Sequence, residues 1–263
     1  WHHNIARQAL MWLLRYPRTI ELGAEFRDLP ADEIIRRISQ LIVRDLTVEG
    51  LEHIPATGPA LIVANHPTGI ADGIVLSAVI SAVLDDLLIY ANHDIMRILP
   101  QCASLIAPVE WRPEKRSHAK TRVTMDYTRE ALRRGRIGLI FPSGRLAKRR
   151  GLTLHERPWM ASAAMIARKF EAPIIPLRIR ARNSVRDVTL FNEVLNKTRQ
   201  PFRVTIGAPI QPGDLPARSE DGINILREAV LSLPPPGQDA AKLQQIRRLS
   251  QGRRTVAKPS PIE

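Results

Sequence analysis

From about residue 60 onward, short apolar runs alternate with longer stretches in which apolar residues return at helical spacing. That alternation predicts an α/β architecture. Ala60 to Ala64 (ALIVA) reads as a buried strand, and a helix capped by Asp72 runs on to about Leu84. Further strands are predicted over Leu87 to Ala91, Leu105 to Val109, Ile137 to Phe141, Pro173 to Arg180 and Phe202 to Gly207. The strand over 173–180 holds two prolines, which places it at a sheet edge or at a bend. Helices are predicted from about Lys120 to Arg134, Trp159 to Phe170 and Gly222 to Leu231.

Ahead of this region two helices are predicted. In Trp1 to Tyr16, Ile5, Ala9, Trp12 and Leu13 share a face, Arg7 and Arg15 lie off it, and Pro17 ends it. A basic helix with tryptophans at its edge suits a membrane interface, as it suits packing on a domain. The second, from about Asp32 to Arg44, has Ile34, Ile35, Ile38, Leu41 and Ile42 as its apolar side. The run Pro234-Pro235-Pro236-Gly237 marks a boundary. Three parts follow: an N-terminal helical segment over 1–45, one α/β domain over 46–233 with a mixed, mostly parallel sheet flanked by helices, and a basic, flexible tail over 234–263.

The 263-residue chain is 44% hydrophobic, which suits a sizeable core and excludes global disorder. Its 39 Lys and Arg against 26 Asp and Glu give a net charge of +13. Such a charge suits nucleic acid, anionic lipid and phosphorylated substrates alike. Aromatic residues are only 5% and are not interleaved with the basic runs, which speaks against stacking on single-stranded nucleic acid. The single cysteine, Cys102, excludes an internal disulfide and sits among apolar neighbours as a buried small hydrophobe. The spacing of zinc ligands is absent. The longest apolar stretch, Ile74 to Leu84, is shorter than the roughly 20 residues of a spanning helix. No stretch has the charged start, apolar middle and cleavage site of a secretory signal.

Two strands end in unusual polar loops, and ligands of open α/β sheets gather beyond the carboxyl ends of strands. The first loop is Asn65-His66-Pro67-Thr68-Gly69-Ile70-Ala71-Asp72-Gly73. A histidine directly after a buried strand is held firmly, and the glycines permit a return that brings Asp72 to the imidazole. A carboxylate on one ring nitrogen fixes the tautomer and leaves the other as a general base. From spacing alone, an ordinary loop histidine with Asp72 as a helix cap is the competing account. The second loop is Phe141-Pro142-Ser143-Gly144-Arg145-Leu146-Ala147-Lys148-Arg149-Arg150. Its cations suit a phosphate cradle, with arginine supplying a planar fork. Ser143 lacks the Gly-x-Ser-x-Gly elbow of a serine hydrolase.

Together these residues resemble the glycerolipid and lysophospholipid acyltransferases. Asn-His-Pro…Asp-Gly follows a hydrophobic strand, Phe-Pro-x-Gly comes about 75 residues later, and Pro173-Ile174-Ile175-Pro176 follows. The family pattern has His-x-x-x-x-Asp, a loop near Gly-x-Ile-Phe-Ile-Asp-Arg, Phe-Pro-Glu-Gly-Thr-Arg and an apolar Val-Pro-Val-type strand, and the resemblance covers roughly residues 46 to 210. Here five residues separate His66 from Asp72, and Ser143, Arg145 and Leu146 replace the family's Glu, Thr and Arg. The divergent, hemolysin-annotated bacterial branch has such changes, and Trp159 and Arg182-Asn183-Ser184 also look like it.

The resemblance implies an O-acyltransferase with His66 and Asp72 catalytic. Asn65, Arg112, Ser143, Gly144, Arg145 and Lys148 are the substrate-binding candidates, Arg112 because it stands near the family's second-motif arginine. The donor is acyl-CoA or acyl-carrier protein and the acceptor a lysophospholipid such as 1-acylglycerol-3-phosphate, with no metal or bound cofactor. Backbone N–H groups near Gly144 are expected to hold the oxyanion. The positive charge then meets an anionic membrane, peripherally on the inner face of the plasma membrane, with no nucleic acid as partner. Competing readings are a lyso-aminolipid acceptor such as lyso-ornithine lipid, a catalytically silent lipid-binding protein, and a nucleic-acid-binding protein.

Overall fold

The computed structural model describes residues 21, 23–84, 86–110, 112–145, 147–150, 153–181, 200–242 and 244–247. The expected helix over 1–16, the Arg182-Asn183-Ser184 segment and the end of the basic tail lie outside these residues.

An eight-stranded sheet organises the chain, in the order β10-β1-β9-β8-β2-β5-β3-β4. The strands are β1 (Val43–Glu49), β2 (Ala60–Ala64), β3 (Leu87–Asn92), β4 (Ile106–Val109), β5 (Ile137–Ile140), β8 (Ile174–Ala181), β9 (Gln200–Ile206) and β10 (Ala241–Lys242). A separate hairpin pairs β6 (Lys148–Arg150) with β7 (Thr153–His155). Helices are α1 (Ala31–Ile42), α2 (Ile70–Ile80), the short α3 (Ile95–Ile98), α4 (His118–Arg133), α5 (Ser162–Lys169) and α6 (Ser219–Ser232).

β8, β2, β5, β3 and β4 run parallel to one another, while β9 is antiparallel to β8. The expected mixed, mostly parallel sheet is therefore present. Its central strands read as unbroken apolar runs because both faces are covered. In β2, Ile62 and Ala64 face the layer holding Val75, Leu76 and Ile80 of α2. Leu61 and Val63 face the opposite layer, with Ala163 and Ala164 of α5 and Leu226 and Val230 of α6. Each fully buried Leu or Ile contributes about 1.5–3 kcal/mol of transfer free energy.

Three expectations are corrected. β8 is central, lying between β2 and β9, although it contains Pro176. In an extended strand the nitrogen and carbonyl of one residue point to the same side. The Pro176 carbonyl accepts from the Gly207 N–H, just past the end of β9 at Ile206. The missing N–H therefore faces the β9 side, opposite Gly207, and not the parallel ladder with β2. Second, the predicted helix to Arg44 stops at Ile42, and β1 begins at once. Third, the part of the tail that is described is not loose, since β10 pairs with β1 and Ile246 is buried in the core.

The parallel strands carry their carboxyl ends to one edge of the sheet. Asn65 and His66 follow β2, Phe141 to Ser143 follow β5, Asn92 ends β3 with Asp94 beyond it, and Glu110 and Arg112 follow β4. That edge is where the candidate chemistry gathers.

Candidate active site

His66 leaves the fully buried β2 and enters a loop that returns into α2, where Asp72 occupies the first turn. The return depends on Gly69, whose φ of 94° and ψ of −135° favour glycine. Asp72 is 0% exposed, and its carboxylate accepts the Thr68 N–H at 2.9 Å, the Gly69 N–H at 3.1 Å and the Thr68 hydroxyl. The positive end of the α2 dipole adds to this hold. His66 Nδ1 lies 3.0 Å from Asp72 Oδ2, with the imidazole 18% exposed. Facing an acceptor-only carboxylate, Nδ1 carries the proton and Nε2 keeps its lone pair. The ring stacks on Phe141 with centroids 4.4 Å apart and planes at 27°, so the first motif is held against the third.

Asn65 is buried, and both ends of its side-chain amide are taken up by the backbone of Ile179 in β8. Its observed contacts thus position the His66 loop. Ser143 is buried too, its hydroxyl donating to the Arg145 carbonyl at 2.9 Å. Gly144 adopts a φ of 56°, and a β-carbon there would stand 2.8 Å from Met160 Cε. The Gly144 N–H itself donates to the Phe141 carbonyl at 2.9 Å, closing a turn. Arg145 and Lys148 are exposed at the entry to the β6–β7 hairpin.

Arg112 stands apart. β4 is three strands from β2, about 14 Å at the usual strand spacing. Its guanidinium Nε donates to Glu110 at 2.8 Å, and a second nitrogen lies 3.6 Å from Asp94. Lys120 completes the group at 2.9 Å from Glu110. Hydrogen bonds from Arg112 and then Lys120 hold the Glu110 carboxyl well below the usual carboxylate range. An anionic group near Arg112 would enter a network already supplied with carboxylates.

Glu156 is the residue that sequence reasoning missed. One oxygen accepts the His66 main-chain N–H at 3.2 Å and the Trp159 indole N–H at 3.3 Å. Burial pushes its carboxyl above the usual range, against the opposing effect of the His66 and Trp159 hydrogen bonds. The available sequence signal was Gly151 between the short runs Lys148-Arg149-Arg150 and Leu152-Thr153-Leu154, which marks a hairpin that would fold Glu156 back onto the site. Among the described residues, no group of His, Cys, Asp and Glu is arranged to hold a metal ion.

The sequence profile of the family described as Acyltransferase matches residues 45–180, just over half of the chain, and the chain belongs to that family. A lyso-glycine lipid O-acyltransferase of Phocaeicola vulgatus is 22% identical over 181 residues, covering 62% of this chain and 63% of the relative. The chain thus aligns to less than two thirds of that relative's length. A second protein of that name, from Bacteroides thetaiotaomicron, is 20% identical over 204 residues, covering 71% of this chain and 73% of its own. The crystal structure of the 1-acyl-sn-glycerophosphate acyltransferase PlsC from Thermotoga maritima superimposes with a TM-score of 0.51 at 14% identity. It covers 98% of this chain and 99% of the PlsC chain, and establishes a shared fold.

Proposed function

We propose that this protein transfers a fatty acyl group from an acyl thioester, carried by CoA or acyl-carrier protein, to the free hydroxyl of a lysolipid. The observation that carries the reading is the 3.0 Å contact between His66 Nδ1 and a fully buried Asp72 at the carboxyl end of β2. Membership of the Acyltransferase family supports it. The acceptor hydroxyl gives its proton to His66 Nε2 as its oxygen attacks the thioester carbonyl. Asp72 orients the ring and stabilises the imidazolium. Collapse of the tetrahedral intermediate forms the ester, and the departing thiolate takes the proton back as a thiol.

Two acceptor classes compete. The lyso-aminolipid reading is favoured by the names of two relatives, both lyso-glycine lipid O-acyltransferases. The engagement of Arg112 with Glu110 and Asp94 points the same way, because a phosphate would have to displace carboxylates there. A lysophospholipid such as 1-acylglycerol-3-phosphate remains the second reading, since the exposed Arg145 and Lys148 suit any anionic headgroup. The same reading places the protein peripherally on an anionic membrane surface, at the inner face of the plasma membrane, where each Lys or Arg adds about 1 kcal/mol. No described helix is long and apolar enough to cross a membrane.

The test is CoA release from a long-chain acyl-CoA, measured with lyso-glycine lipid, lyso-ornithine lipid or lysophosphatidic acid, for wild type and His66→Ala. Release that depends on a lyso-aminolipid and is lost in the variant is the expected result. Release with lysophosphatidic acid alone would shift the acceptor to the phospholipid class. Silence with every acceptor, and with an acyl-carrier-protein donor as well, would leave a lipid-binding protein without catalysis.

A further inference from the structure

The backbone of His66 is held on both sides by the feet of one hairpin. Its carbonyl accepts the N–H of Ala147, just before β6, at 3.1 Å. Its N–H donates to Glu156, just after β7, at 3.2 Å. The Glu156 carboxyl also accepts the Trp159 indole N–H, and the Met160 N–H donates to the Pro142 carbonyl at 2.9 Å. Residues 156–160 are thus stitched to the loop after β5 and to the loop after β2.

We propose that Glu156 is a positioning residue of the His66 site, a carboxyl delivered by the β6–β7 hairpin that locks the His66 main chain against the Pro142–Ser143 turn. The kinetic part of this inference rests on the acyltransferase reading above. Among the described residues, the groups that hydrogen-bond Glu156 are a peptide N–H and an indole N–H, neither of which carries a formal charge. Burying a carboxyl among neutral donors costs folding free energy. What the arrangement returns is fixed geometry at His66, where about 1 Å of misplacement can cost on the order of a hundredfold in rate.

Glu156→Ala and Glu156→Gln separate this role from a general contribution to folding. Each is assayed for kcat and acceptor KM, and for hydrogen exchange of the His66 amide. The expected Ala variant is folded, exchanges the His66 amide faster, and loses about 10- to 100-fold in kcat with KM changed less than about 3-fold. Glutamine keeps an oxygen acceptor, so the Gln variant is expected to restore protection and to return kcat to within about 3-fold of wild type. Wild-type kcat in Glu156→Ala would overturn the inference. So would a loss carried by KM alone, or a Gln variant that is folded and as slow as Ala. If Glu156→Ala fails to fold, the Gln variant decides alone: His66 protection with near-wild-type kcat supports the role, and loss of either overturns it. If wild type acylates no lysolipid, the functional reading fails, and His66 amide exchange then decides the positioning role by itself.

Discussion

The side-chain amide of Asn65 and the backbone of Ile179 exchange two hydrogen bonds, Nδ2 to the carbonyl at 2.9 Å and the Ile179 N–H to Oδ1 at 2.8 Å. Asn65 thereby extends the β2–β8 ladder by a side chain after the main chain of β2 has turned away toward His66.

Replacing Asn65 with Ala leaves both backbone groups of Ile179 buried without these partners. Each such group costs about 1–3 kcal/mol. The variant is expected to lose about 2–4 kcal/mol of stability in urea unfolding, with kcat lowered as well. Asn65→Asp keeps only the acceptor and should fall between the two. A variant as stable as wild type would show that Asn65 does not fix the end of β2.

His66→Ala is expected to lower kcat by about 100- to 10,000-fold, the usual range for a lost general base, while leaving the fold intact. Asp72→Asn should lower kcat within the same range, because an amide does not enforce the Nδ1–H tautomer. Asp72→Ala differs in kind, because the Thr68 and Gly69 N–H groups lose their acceptor and stability falls together with rate. Thermal midpoints measured beside initial rates separate the two effects.

Glu156 gives a pH-dependent signature. Its folded-state carboxyl is raised by burial, so folding takes up a proton as pH climbs through the window above its ordinary value of 4.5. Its contribution is most favourable below that value and is lost as pH rises through the folded pKa. Glu156→Gln cannot ionise and should therefore gain stability relative to wild type as pH rises above 4.5, reaching a plateau above the folded pKa. Denaturant titrations across that range check it, and a constant difference between the two proteins would refute it.

Tyr90 reports on the opposite end of the pH scale. Its hydroxyl donates to Thr128 at 3.0 Å, pinning β3 to α4, and burial pushes its phenol up to about 12. Stability from the neutral phenol is full below pH 10 and is lost as pH rises toward about 12. Tyr90→Phe is expected to cost about 1 kcal/mol at pH 7 and to remove this part of the alkaline loss. Thermal unfolding between pH 8 and 12 distinguishes the two proteins.

Much of this was legible in the sequence, for a physical reason. A strand buried on both faces has to be a continuous apolar run, so Ala60–Ala64 and Ile137–Ile140 announced themselves. β1 did not, because its burial is irregular and it follows α1 without a break, with Arg44 reading as the end of the helix. The His66–Asp72 pair was legible because the partners are close in sequence and the glycine that brings them together lies between them. Glu156 was not, since its importance comes from a hairpin that returns it to a loop 90 positions earlier. Arg112 was legible as a residue type, whereas its carboxylate partners follow from the adjacency of β3 and β4.

The two-residue strand β10 has a consequence for how the protein meets other copies of itself. Thr47 pairs with Lys242 and Val48 with Ala241, so a short piece of late chain covers the outer edge of β1. An uncovered sheet edge invites strands from other molecules, and a brief strand ending in lysine is a poor template for further growth. Those few residues act as a stopper against aggregation, and a chain cut after Leu233 would leave the edge of β1 open to its neighbours.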